Sequence, residues 1–114
     1  MQERSNAQRL RANLNVRWET LKTTGRGAVC DLSASGCFVL TGGEITSQEL
    51  VRMNIVLPNE IGEIATVWGN VVYTISEMGF AVRFVFGSEA EQQLIQRMTG
   101  TLTDHGLTLS NTIR

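Results

Sequence analysis

The chain has 114 residues, 42% of them hydrophobic and 18% charged, which suits one domain with a modest core and excludes a second full domain. Its formal net charge of −1 and pI of about 5.8 exclude the overall basic surplus that duplex nucleic-acid binders usually carry. The charge is nonetheless uneven: residues 1–30 hold six basic and two acidic side chains, and residues 31–114 hold four basic and nine acidic. Such a distribution suits an anionic partner for the first part of the chain, but on charge alone a solvated arm that pairs with the fold's own carboxylates is the preferred reading.

No apolar run approaches the roughly 20 residues needed to span a bilayer, and the polar, arginine-rich start lacks the apolar stretch of a secretory signal. These features predict a cytoplasmic protein without membrane insertion. Cys30 and Cys37, with a single histidine, are too few for a zinc site. Two buried free thiols are expected of them, and a disulfide stays open.

Residues 1–8 have no hydrophobic periodicity, and residues 1–9 are read as a flexible basic arm. From Leu10 to Trp18, apolar side chains alternate with Arg11, Asn13, Asn15 and Arg17, the period-two pattern of a half-buried strand. The stretch TTGRG at 23–27 has turn chemistry, and Ala28–Leu32 reads as a second strand. Ser33–Gly36 interrupt it before Cys37–Leu40 resume as a third. Val51–Leu57 alternates again, ending at Pro58 and Gly62. Glu63–Thr74 reads as a long strand, with Gly69 suggesting a bulge, and the turn near Ser76–Met78 leads into a sixth strand over residues 79–86. The aromatic residues on these strands, Trp18, Phe38, Trp68, Tyr73, Phe80, Phe84 and Phe86, are expected in the core, and Arg83 is expected to point outward or to be paired.

A helix follows. Ser88 and Glu91 form a capping box, Leu94, Ile95 and Met98 make one apolar face, and Gly100 is a plausible C-terminal stop. Six short strands and one helix in so short a chain favour a small antiparallel barrel, because closure removes exposed edges, with the helix over one end or the side. The domain reading is therefore an arm at 1–9, barrel plus helix at 10–99, and a tail at 100–114, whose Leu102, Leu107, Leu109 and Ile113 either dock or stay mobile.

No catalytic constellation is visible. His105 is the sole imidazole, the carboxylates are scattered, and TGGE at 41–44 lacks the lysine and following helix of a phosphate-binding loop. A binding module is the better class, and residues 31–36 are its best candidate. Asp31, Ser33 and Gly36 form D-x-S-x-x-G between two apolar runs. On a strand, Asp31 and Ser33 share a face. A carboxylate there could read the donor edge of a guanine, a hydroxyl can donate and accept, and glycine permits close backbone approach. Equally, the same three residues could serve a turn.

Asp31, Ser33 and Gly36, preceded by a strand that starts just after Arg9, resemble the PilZ family of bacterial receptors for cyclic di-GMP. The first strand RLRANLNVRW at 9–18, the late hairpin VWGNVVYTISEMGFAVRFV at 67–85 and the capped helix extend the likeness over residues 4–99. In that family R-x-x-x-R before the first strand joins D/N-x-S-x-x-G. Taking Arg9 as the second arginine puts Ser5 at the first position, with Arg4 one residue earlier, so the motif is degenerate.

The resemblance implies a six-stranded antiparallel split barrel with a C-terminal helix, not an enzyme, without cofactor. Its implied ligand is cyclic di-GMP, held by Arg4, Arg9, Asp31, Ser33 and Gly36, and its implied output is a downstream protein whose identity the sequence does not carry. Arginine suits the task because its planar fork contacts phosphate bidentately and stacks on purines. Two further readings differ: a PilZ-like adaptor that works through protein contacts after losing its ligand, and a small barrel that binds single-stranded nucleic acid. The low pI and the lack of interleaved exposed aromatics make nucleic acid the least favoured partner.

Overall fold

The computed structural model describes residues 9–58 and 61–104, and of Met98 and residues 101–104 the backbone alone. Arg4, Ser5, His105 and most of the arm and tail read above lie outside the described residues.

Six strands, β1 (Leu10–Glu19), β2 (Thr24–Leu32), β3 (Gly36–Leu40), β4 (Leu50–Val56), β5 (Ile64–Ile75) and β6 (Gly79–Val85), precede one helix, α1 (Glu89–Asp104). All neighbouring strands are antiparallel, and the order β1-β2-β3-β6-β5-β4 closes on itself where Val16–Glu19 pair with Arg52–Ile55. Closure pairs both edges of the sheet. The fold expected from the strand pattern is thus present.

The period-two residues fill the barrel. Leu14, Val16, Trp18, Val29, Val39, Val51, Met53, Ile55, Val67, Val71 and Phe80 are buried together. Trp18 is fully buried, meets Phe80 edge to face at 5.4 Å, and donates its indole N–H to Thr41 Oγ1 at 3.3 Å. That ring explains one correction. Gly25 and Gly27 are not turn residues but lie inside β2, and neither has a positive φ. A Cβ at Gly25 would strike the Trp18 ring, and one at Gly27 the Leu40 carbonyl. Both glycines serve close approach. The turn itself is Thr20–Thr23, closed by the Thr20 amide on the Thr23 carbonyl at 2.8 Å and by Thr20 Oγ1, which accepts from the Lys22 and Thr23 amides at 3.1 Å.

Three other expectations change. The β5 irregularity falls between Val71 and Tyr73 rather than at Gly69, which stays paired with Val51 and Phe84. Gly100 does not end the helix, which runs to Asp104; it is an exposed helical glycine, a position that costs stability without breaking hydrogen bonds. Cys37 is buried as expected, but Cys30 is half-buried, and both are free thiols. At the helix start the capping box is present: the Glu91 amide donates to Ser88 Oγ at 3.3 Å, and Glu91 Oε1 accepts from the Gly87 amide at 2.6 Å. Ile95 is buried and Leu94 packs on the core, so α1 lies on the barrel through the expected face.

Burial pushes the Cys37 thiol up to about 12, from an ordinary 9.0. A raised folded value means that the native state keeps its proton where the unfolded chain loses it, so stability is full below pH 9 and falls between pH 9 and about 12. Denaturant unfolding at pH 10 is expected to show a loss of about 1.4 kcal/mol relative to pH 8 that is absent in Cys37→Val. Equal pH slopes in the two proteins would contradict this.

Candidate functional site on the outer face of β1, β2 and β3

The β2–β3 connection is a two-residue turn at Ala34 and Ser35. The Ser33 amide donates to the Gly36 carbonyl at 2.9 Å, and Ser33 Oγ, almost buried, accepts from the Ser35 amide at 3.3 Å and lies 3.4 Å from the Gly36 carbonyl and 3.3 Å from Ser35 Oγ. The turn is then fastened to β6: the Phe84 amide donates to the Ser35 carbonyl at 2.9 Å, and Gly36 pairs with Arg83. A Cβ at Gly36 would collide with the Val82 carbonyl oxygen. Ser33 and Gly36 therefore both have structural work at this corner.

Asp31 differs. It pairs with Arg11 on β1 and with Phe38 on β3, Phe38 pairs with Ala81 on β6, and Ala81 pairs with Tyr73 on β5. These five residues form one row across the outside of the barrel. Two irregularities put Asp31 there. Cys30 has no counterpart on β3, and on the other side Ala12 and Asn13 together face Cys30. Val29 and Leu32 both point into the core, so the extra residue carries Asp31 outward, a common use of bulges. Among the described residues its carboxylate has neither a hydrogen bond nor an ion pair.

The local electrostatics show what surrounds it. Burial raises the Cys30 thiol above its ordinary value and the adjacent Asp31 carboxylate raises it further, while Arg11 and Arg9 pull the other way. Arg9, exposed just before β1, is near enough for its charge to act on Cys30, while Asp31, Ser33 and Gly36 flank the β2–β3 turn. Arg4 lies outside the described residues.

Two aromatic residues of the barrel's outer surface differ from the pattern, Tyr73 in this row and Trp68 elsewhere on β5, beside Arg52. Trp68 and Tyr73 are 38% and 49% exposed rather than core. Tyr73 has the parity of the inward Ala65, Val67 and Val71, but the extra residue Val72 turns it outward, where its ring lies 6.3 Å from that of Phe38. Arg11, a polar position of the strand pattern, also belongs to the row. No group of metal-ligating side chains occurs among the described residues.

The closed barrel thus presents an unpaired carboxylate, an arginine and an exposed aromatic on one outer face. The chain belongs to the PilZ domain family, whose domain it matches over residues 3–100, a family of typically non-catalytic cyclic di-GMP receptors. No curated protein matches it. Solved structures share its fold. The Bacillus subtilis inhibitor of motility, MotI/DgrA, is 23% identical with a TM-score of 0.69, over 91% of this chain and 53% of that one. The PilZ domain of Escherichia coli YcgR, solved with cyclic di-GMP, is 15% identical with a TM-score of 0.70, over 88% and 92%. Klebsiella MrkH, solved as its cyclic di-GMP complex, is 19% identical with a TM-score of 0.66, over 83% and 49%. The chain thus spans about half the length of the Bacillus and Klebsiella proteins. No helix among the described residues is long and apolar enough to cross a membrane.

Because Gly36 is where β3 and β6 backbones meet, Gly36→Ala is expected to lower stability by about 2 kcal/mol in urea unfolding, since a methyl forced into a packed contact must separate the strands. A change below about 0.5 kcal/mol would show that the hairpin is not seated on β6 in this way.

Proposed function

We propose that this protein is a cyclic di-GMP receptor that binds its ligand on the outer face of β1, β2 and β3. The observation that carries the proposal is the unpaired Asp31 carboxylate held outward opposite Arg11, two residues after Arg9, next to the seated β2–β3 corner. In this reading Asp31 accepts from the donor edge of a guanine, Arg9 and Arg4 hold phosphate or stack on a base, and Ser33 and Gly36 hold the corner and offer it to the ligand. Relatives of the same fold solved with cyclic di-GMP support the ligand class.

In this reading the arm at 1–9 closes over the ligand, and the entropy lost on binding offsets part of the contact energy. Binding then changes the surface shown to a downstream protein, which makes the arm a natural switch.

Each charge-assisted hydrogen bond contributes roughly 1.5 to 3 kcal/mol, so Arg9→Ala and Asp31→Ala are each expected to weaken cyclic di-GMP binding about tenfold or more in calorimetric titration. Absence of heat from the unaltered protein at high micromolar ligand would refute the receptor reading. Ser5, standing where the family motif has arginine, favours a second reading, an adaptor that no longer needs ligand. That reading requires a partner recovered equally with and without the nucleotide.

A further inference from the structure

At the other end of the β1–β2 ladder, Arg17 and Arg26 stand directly opposite each other on the outer face, both exposed. Like charges in facing cross-strand positions repel, and a sheet ordinarily avoids them or screens them with a neighbouring carboxylate. No such screen is present among the described residues. Glu19, the next outward residue of β1, is held by Arg52 at 2.8 Å, and among the described residues neither Arg17 nor Arg26 has an ion pair or hydrogen-bonded side-chain partner. Asn54, which faces Arg17 from β4, accepts from Thr66 Oγ1 at 2.7 Å through its side-chain oxygen, which leaves its amide N–H groups as further donors.

These side chains line a groove of about 700 Å³, together with Asn15 and the apolar Val56 and Ile64. Ile64 is 57% exposed there. Among the described residues the groove therefore combines two guanidinium forks, two amides and an apolar shelf, and none of its described lining residues is acidic. Arg17 lies six residues from Arg11 along β1, about 20 Å at the rise of a strand, so this groove is separate from the Asp31 corner.

We propose that the Arg17–Arg26 groove is a docking surface for an extended acidic segment of a partner protein, in which two carboxylates engage the paired guanidiniums and an intervening apolar side chain rests on Val56 and Ile64. Charge complementarity sets the sign of the partner. The apolar shelf sets its class, because a nucleic-acid backbone would find there neither further cations to track nor an aromatic ring for its bases. Closure of the barrel leaves no free edge for a β-strand to join, so recognition is by side chains. The inference does not depend on the ligand reading of Asp31.

The test uses the full chain and, as probe, a labelled peptide of alternating glutamate and leucine followed by fluorescence anisotropy, with a thymidine oligonucleotide and phosphatidylglycerol vesicles as the other arms. Saturable peptide binding is expected, weakened at least tenfold in the double variant Arg17→Gln/Arg26→Gln, while cyclic di-GMP titration of that variant is unchanged from the parent. Removing the repulsion is also expected to raise Tm by about 2 °C, the size of shift that a few tenths of a kcal/mol produces in a chain this long. The proposal is overturned by no peptide binding at millimolar concentration, by equal binding to the double variant, by a lowered Tm, or by the oligonucleotide or vesicles competing the peptide away through the same arginines.

Discussion

The lack of a side chain at Gly36 of β3, where a Cβ would strike the Val82 carbonyl of β6, is the constraint on which the outer face depends. It lets the Ser35 carbonyl reach the Phe84 amide, so a two-residue turn that would otherwise project from the barrel becomes part of its wall. Once the turn is fixed, the positions of Asp31 and Phe38 follow from strand pairing alone, and with them the row that runs from Arg11 to Tyr73. A side chain at position 36 would disturb the seating first and the ligand face second. Glycine in the D-x-S-x-x-G motif thus has a packing reason that needs no ligand at all.

Much of the fold was legible because burial in a small barrel imposes strict alternation. Leu14, Val16 and Trp18, or Val51, Met53 and Ile55, declare their strands by spacing, and the Ser88–Glu91 pair declares the helix start. What pattern could not supply was the reason for a glycine. Gly25 and Gly27 look like turn residues in sequence, yet they are small because the Trp18 ring and the Leu40 backbone occupy the space a side chain would need. Gly100 posed the converse problem, since solvent accepts an exposed helical glycine and the helix simply continues.

The site was legible in its residues and not in its geometry. Asp31, Ser33, Gly36 and Arg9 could be singled out from spacing and resemblance, but two bulges decide which way the neighbouring side chains face. Counting by twos puts Asp31 on the same side as Val29, and Tyr73 on the same side as Val71; the extra residues Cys30 and Val72 send both outward. A bulge has no reliable signature in a single sequence, so the aromatic contribution of Tyr73 was hidden. Trp68 was less hidden, because its parity is opposite to that of Ala65 and Val67.

The two arginine-bearing regions of β1 have different roles in the two proposals, nucleotide binding at its start and partner docking at its end, with a bulge in the β1–β2 ladder between them. Amide chemical-shift mapping of the labelled protein during addition of cyclic di-GMP tests the central claim most directly. The account predicts that the largest changes fall at residues 9–11, 30–36 and 73, with Arg17 and Arg26 little affected. Changes centred on Arg17 and Arg26, or none at saturating nucleotide, would contradict it.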